Sequence, residues 1–138
     1  MAKIIKIVGR QVFDSRGNPT VEAEVFLNNG TKASAIVPSG ASTGAFEAHE
    51  LRDNNKNYFL GKSVLNAVKN INTIINKNLK NKDSEKQKKI DQILLDLDGT
   101  ENKTKLGANA LLPVSLATAK AEAISTKKEL YQHLGKKF

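Results

Sequence analysis

With no cysteine in 138 residues, the chain can form neither a disulfide nor a thiolate metal site. Tryptophan is also missing and aromatic residues make up 5%, which removes most of the stacking platforms that hold single-stranded nucleic acids. No run approaches the ~18 consecutive apolar residues of a membrane helix. The first eight residues are too short and too charged for a signal peptide, so no membrane span and a cytoplasmic location are expected. A (β/α)₈ barrel takes on the order of 250 residues and does not fit in this length. One domain, residues 1–138, with a single core is expected, burying roughly two-thirds of the surface of its unfolded chain.

What the chain has in excess is positive charge, formally +8. Only three of its 22 basic residues are arginine (Arg10, Arg16 and Arg52); the rest are lysines scattered among asparagines from Lys3 to Lys137. Specific base readout favours bidentate arginine, so the charge reads as a solvated lysine-rich surface and no specific nucleic-acid partner is expected.

Val21, Ala23, Val25 and Leu27 alternate with Glu22, Glu24 and Phe26, the period of a strand with one buried face. Asn29-Gly30 follows, predicting a hairpin with a type I′ turn, and Ala33, Ala35 and Val37 continue the alternation on the return strand. Upstream, residues 5–13 are β-rich and end in the turn formers Ser15-Arg16-Gly17-Asn18-Pro19. Beyond Phe46 the period becomes helical. Val64, Val68, Ile71, Ile75 and Leu79 form one amphipathic stripe. Ser84 and Gln87 predict a capping box ahead of Ile90, Ile93, Leu94 and Leu97, with Gly99 as the helix stop. Asn109 is a candidate cap for a helix through Leu112, Leu116, Ala119 and Ala123, and a short element spans residues 128–134. Residues 76–89 are polar enough to be a mobile connection. Strands followed by helices predict an α+β fold, a three-stranded antiparallel meander with a small helical bundle on one face.

Residues 37–48, VPSGASTGAFEA, concentrate two glycines, two serines and a threonine after a strand. Loops of this composition carry binding groups about as often as they merely connect elements. Gly40-Ala41-Ser42-Thr43-Gly44 matches G-x-S-x-G, but a nucleophile elbow needs a parallel strand leading into a helix, and no βαβ unit is legible. No lysine follows Gly44, so a phosphate-binding P-loop is excluded. The hydroxyls of Ser39, Ser42 and Thr43 are neutral oxygen donors that suit a hard cation such as Mg²⁺. His49 stands between Glu47 and Glu50 without a second histidine nearby, too few ligands for zinc; His133 belongs to no recognisable cluster. Asp96, Asp98 and Glu101 bracket Gly99 but fail the EF-hand spacing, and a helix end explains them more economically. Arg10, Arg16 and Glu22 are charges in the strand region, where exposed ion pairs contribute ~0 to 1 kcal/mol.

Three fragments in this order, DSRGNPTVE (14–22), the loop above and LDGTENKTKLGANALL (97–112), resemble the amino-terminal domain of enolase, and the likeness runs from Ile7 through LYQHL at 130–134. The resemblance implies the same α+β architecture. It implies a role in converting 2-phosphoglycerate to phosphoenolpyruvate and water in glycolysis, with Mg²⁺ as cofactor. Ser39, Gly40, Ala41, Ser42 and Thr43 would form the loop that closes over the site, and Ser42 would coordinate the Mg²⁺ ion that arrives with substrate. Arg10 and Glu22 would reach opposite charges on the partner's barrel in a homodimer. The acid, the base and the other metal ligands belong to the family's carboxy-terminal barrel domain, which is absent from this sequence, so no catalytic residue is expected here and the chain alone is expected to be inactive. The alternative is a free-standing, non-catalytic binding or scaffold domain of the same fold. Two positions depart from the pattern. Pro113 stands where enolases usually carry a small residue; if Asn109 is the cap, it falls near the first turn, where its cost of about 3 kcal/mol in a helix interior shrinks. Ser63 stands where the family tends to have glycine, a change expected to be minor.

Overall fold

A computed structural model describes residues 2–37 and 48–137. Three strands, β1 (Ile4–Phe13), β2 (Pro19–Leu27) and β3 (Lys32–Ile36), form an antiparallel meander in the order β1-β2-β3. The α+β architecture expected from the sequence is therefore the one observed. Between β1 and β2 the Asp14 carboxylate accepts hydrogen bonds from the amides of Asn18 and Arg16, both at 2.9 Å, while Gly17 sits at φ +77°. Those bonds, the Asn18 amide foremost, hold the Asp14 carboxyl below its ordinary value. The second turn differs from the expected type I′. Only Gly30, at φ +86°, has positive φ, and its amide donates to the Leu27 carbonyl at 3.1 Å. Asn29 instead spends its side chain, accepting from the Thr31 amide and donating to the Ser125 hydroxyl at 2.6 Å. The result is a three-residue loop of type I geometry with a left-handed glycine, because side-chain bonding keeps Asn29 out of the left-handed region.

The alternation places Val21, Ala23, Val25 and Leu27 in the core, at most 1% exposed, with Ala33, Ala35 and Val37 beside them. On the covered side, α1 (Leu65–Asn70) continues through a π-helical turn (Ile71–Ile75) into α2 (Asn76–Leu79). Its fully buried residues Ala67, Ile71, Ile75 and Leu79 recur every fourth position. In an α-helix each such step overshoots the 3.6-residue turn by about 40°, and the wider π turn takes up that drift, keeping the stripe on the core. Helices α3 (Gln87–Asp98), α4 (Ala108–Ser125) and α5 (Leu130–Lys137) complete the layer, with α4 lying across β2 and β3.

The free edge of β1 is closed by side chains of that first helical segment. Asn72 accepts from the Gly9 amide at 2.8 Å and donates to the Gly9 carbonyl at 3.1 Å, and Asn76 accepts from the Ile7 amide at 2.8 Å. Amides left open on an edge strand invite pairing with another chain, and here two asparagines take up those of Ile7 and Gly9. Asn72→Ala is expected to cost about 1–2 kcal/mol in a denaturant titration, since it strands one donor and one acceptor. An unchanged midpoint would show that water replaces both bonds.

Several local expectations are corrected. Ser84 and Gln87 form no capping box: Ser84 is buried, donating to the Ala2 carbonyl and to Glu122 Oε2 at 3.0 Å, while the Gln87 amide donates to Asp91 and Ser115. Residues 81–84 are no loose connection, because Asn81 and Ile4 are joined by backbone bonds, as are Ile4 and Lys82, and Ser84 and Ala2. The cap of α4 is Gly107, not Asn109, so Pro113 is the helix's sixth residue and lies well inside it. Packing overrides the lost hydrogen bond there, as Pro113 is buried beside Val114. The expected helix is there; along it Leu112 and Leu116 are exposed, while Ala119 and Ala123 are buried together with Ala110, Leu111, Val114, Ala117 and Ala121. Helix α5 continues past Leu134 to Lys137. Ser63 is buried, 2% exposed, and its hydroxyl is satisfied by donating to Gln11 Oε1 at 2.8 Å.

Candidate functional site

Ser39, Gly40, Ala41, Ser42 and Thr43 lie outside the described residues, as does the rest of 38–47. Their two flanks are described, and both are tied to the first residues of β2. On the incoming side the Val37 amide donates to the Val21 carbonyl at 3.3 Å, and the buried Thr20 hydroxyl donates to the Val37 carbonyl. On the outgoing side the Arg52 guanidinium donates to the Pro19 carbonyl at 2.6 Å and the Lys62 carbonyl at 2.7 Å, while pairing with Glu50 at 3.1 Å. Pro19 and Thr20 are consecutive, so one short stretch is bonded to both flanks of the serine- and glycine-rich segment, at Val37 before it and at Arg52 after it. The Asp14 turn fixes where that stretch begins.

The outgoing flank is irregular from Ala48 to Val64 apart from a 3₁₀ turn at Phe59–Gly61, and it is laid against the start of α4. The His49 amide donates to the Asn102 carbonyl and the Ala108 amide to the His49 carbonyl, both at 2.7 Å. The Asn109 side chain accepts from the Leu51 amide at 2.9 Å and donates to the Leu51 carbonyl at 3.0 Å. Asp53 then accepts from the amides of Leu65 and Asn66, placing its carboxylate at the amino terminus of α1. His49 is exposed and takes part through its backbone.

The acidic cluster around Gly99 is structural. Asp98 is 2% exposed; its Oδ1 accepts from the amide and hydroxyl of Thr100, and its Oδ2 accepts from the Leu106 amide at 2.7 Å. Burial alone would raise this carboxyl, but the bonds from Thr100, Leu106 and Gly107 outweigh it and hold the group below the ordinary carboxylate value. Gly99 ends α3 at φ +70°, as the sequence predicts. Asp98 thus fixes residues 99–107, which in turn present Asn102, Ala108 and Asn109 to the outgoing flank. Among the described residues no three His, Asp or Glu side chains converge to hold a metal ion.

Arg10 and Glu22 are register partners on the open face of the sheet. Arg10 bonds Glu22 at 3.2 Å and Glu24 at 2.8 Å, and these carboxylates, Glu24 foremost, hold the guanidinium above its ordinary value. Both charges therefore already have partners within the chain. His133 is 4% exposed and packs into the domain. The sheet is wholly antiparallel, which leaves G-x-S-x-G without the parallel strand an elbow requires. No helix among the described residues is long and apolar enough to cross a membrane.

Sequence patterns did not point to Thr20, Arg52, Asp53, Asn72 or Asn109 as anchors. A polar residue in a turn or on a helix reads as surface, and its partner is 10 to 63 positions away in the chain. A protein-family model described as "Enolase, N-terminal domain" matches residues 4–134.

Proposed function

The chain belongs to the enolase N-terminal domain family, and from that membership we propose that it serves as the first domain of a phosphopyruvate hydratase, a lyase that removes water from 2-phosphoglycerate to give phosphoenolpyruvate. The observation that carries the reading is the anchoring of both flanks of residues 38–47 on Pro19 and Thr20. A segment rich in small hydroxyl residues between two anchored flanks suits a loop that closes over a ligand and excludes water. Ser42 would give one neutral oxygen to Mg²⁺, which when bound supplies Lewis-acid stabilisation of the developing charge. In this reading the remaining metal ligands, the acid and the base would come from a barrel domain of the kind that the family resemblance implies. Arg10 and Glu22 would face the partner in a homodimer. The partner's charges would have to compete with a half-exposed ion pair worth ~0 to 1 kcal/mol, a small obstacle. A cytoplasmic location goes with this role.

Ser42→Ala, made in the chain joined to an enolase barrel, tests the assignment. Turnover should fall at least tenfold, with a higher Mg²⁺ requirement, while stability moves by no more than ~0.5 kcal/mol because the hydroxyl is in a loop. Ser39→Ala should have a smaller effect. Near-native rates in both variants would withdraw Ser42 as a metal ligand; the alternative of a non-catalytic binding or scaffold domain is favoured instead if the chain joined to an enolase barrel shows no turnover at all.

A further inference from the structure

We propose that the outer edge of β3, with the side of α4 that adjoins it, is a docking site for an extended acidic peptide that adds a fourth strand to the sheet. The Leu27 amide donates to the Thr31 carbonyl at 2.8 Å and the Val37 amide to the Val21 carbonyl at 3.3 Å. Hydrogen-bonded pairs alternate along an antiparallel ladder, so β2 engages the backbone of Thr31, Ala33, Ala35 and Val37. The amides and carbonyls of Lys32, Ser34 and Ile36 therefore point away from β2. Among the described residues one of these groups is engaged, the Ser34 carbonyl, which accepts from Lys120 Nζ at 2.6 Å. The opposite edge of the sheet is treated differently, since Asn72 and Asn76 take up the amides of Gly9 and Ile7 there.

Lys120 also fixes which side of α4 borders the β3 edge. Leu116 and Ile124 stand one turn before and one turn after it on the same side of the helix, and they are 37% and 55% exposed. An added strand would turn alternate side chains inward beside Ala33 and Ala35, over this apolar ledge. Its other side chains would stand on the open face of the sheet, next to Lys32, Ser34 and the half-exposed Ile36. In strand addition the main-chain bonds give affinity and the places for alternate side chains give selectivity. Lysines on an edge strand often keep other strands away, but that task needs no apolar ledge alongside. Charge selects the occupant. A second copy paired antiparallel about Ser34 would bring two Lys120 ammonium groups together, and like charges set opposite each other are destabilising. A peptide with apolar residues facing inward and acidic residues between them fills the ledge and meets Lys32 and Lys120 with opposite charge.

The probe is a capped octapeptide of alternating valine and glutamate, titrated into this chain by fluorescence and followed by amide hydrogen exchange. Saturating peptide should slow exchange at Lys32, Ser34 and Ile36 about tenfold or more, with Val25 in the central strand unchanged. Ser34→Pro removes the middle edge donor while leaving the ladder to β2 intact, and should weaken binding about tenfold. Ile124→Glu should weaken it comparably through the ledge, so a folding defect in one variant leaves the other to decide. Lysine in place of glutamate in the peptide, or N-methylation of the peptide amides that face β3, should abolish binding. The proposal is overturned if the three amides stay unprotected, if the N-methylated peptide binds equally, or if polyglutamate without valine binds as tightly. Protection of the same amides without peptide, growing with protein concentration as the chain dimerises, would overturn it in favour of a second copy.

Discussion

Asp98→Asn should lower the unfolding free energy by about 3 kcal/mol, because an amide cannot accept from the Thr100 and Leu106 sides at once. Its NH₂ group would face one of two inward-pointing backbone donors, leaving that donor buried and unpaired. The pH dependence follows from the lowered folded-state value of Asp98. A depressed carboxyl contributes stability that is fully present above its unfolded value, about 3.9 for aspartate, and is lost as pH falls through the folded value. Parent protein should therefore weaken on acidification below about pH 4, while Asp98→Asn shows a shallower acid limb from a lower plateau. Urea denaturation between pH 3 and 7 measures both. Asp96→Asn is the control, since Asp96 is bonded only on the exposed surface, to Gln92 at 2.8 Å, and should change stability by no more than ~0.5 kcal/mol. Equal losses in the two variants would show that the carboxylate is not the group organising residues 99–107.

A second large loss, about 2–3 kcal/mol, is expected for Gly9→Ala. A Cβ at Gly9 would meet Ile71 Cβ at 2.9 Å and its Cγ2 at 3.0 Å, with Ile71 fully buried and held in the π-helical turn. These are atoms near the backbone, so the helix itself must retreat, and overpacking of this kind typically costs about 1–3 kcal/mol. Retreat also stretches the two Asn72 bonds to Gly9. Because both changes act on one contact, Gly9→Ala and Asn72→Ala should be less than additive in a double-mutant cycle. Strict additivity in thermal or denaturant unfolding would mean that the helix does not move, and a loss below about 0.5 kcal/mol would mean that the close approach is not needed.

The two predictions mark where the sequence was legible and where it was not. The alternation through Val21, Ala23, Val25 and Leu27 and the turn cluster after Phe13 determined a meander, since a two-residue period leaves one face to bury and the sign of that face is written in consecutive positions. Gly99 could be read as a helix stop for the same local reason. The family resemblance was legible in three motifs. Tertiary structure decided what those motifs hold. Asp98 reads as a carboxylate beside a glycine, and only folding brings Leu106 onto it. Asn109 reads as a helix cap until Leu51, 58 positions away, takes its side chain. Leu112 and Leu116 lie outside while Ala119 and Ala123 lie inside, a division the sequence leaves open because α4 is apolar nearly all round and does not say which side meets the sheet. Hydrophobic period is a property of neighbours in the chain, so sequence carries it. The partner of a polar group is a property of neighbours in space, and the need to satisfy every buried donor and acceptor selects it only once the elements have packed.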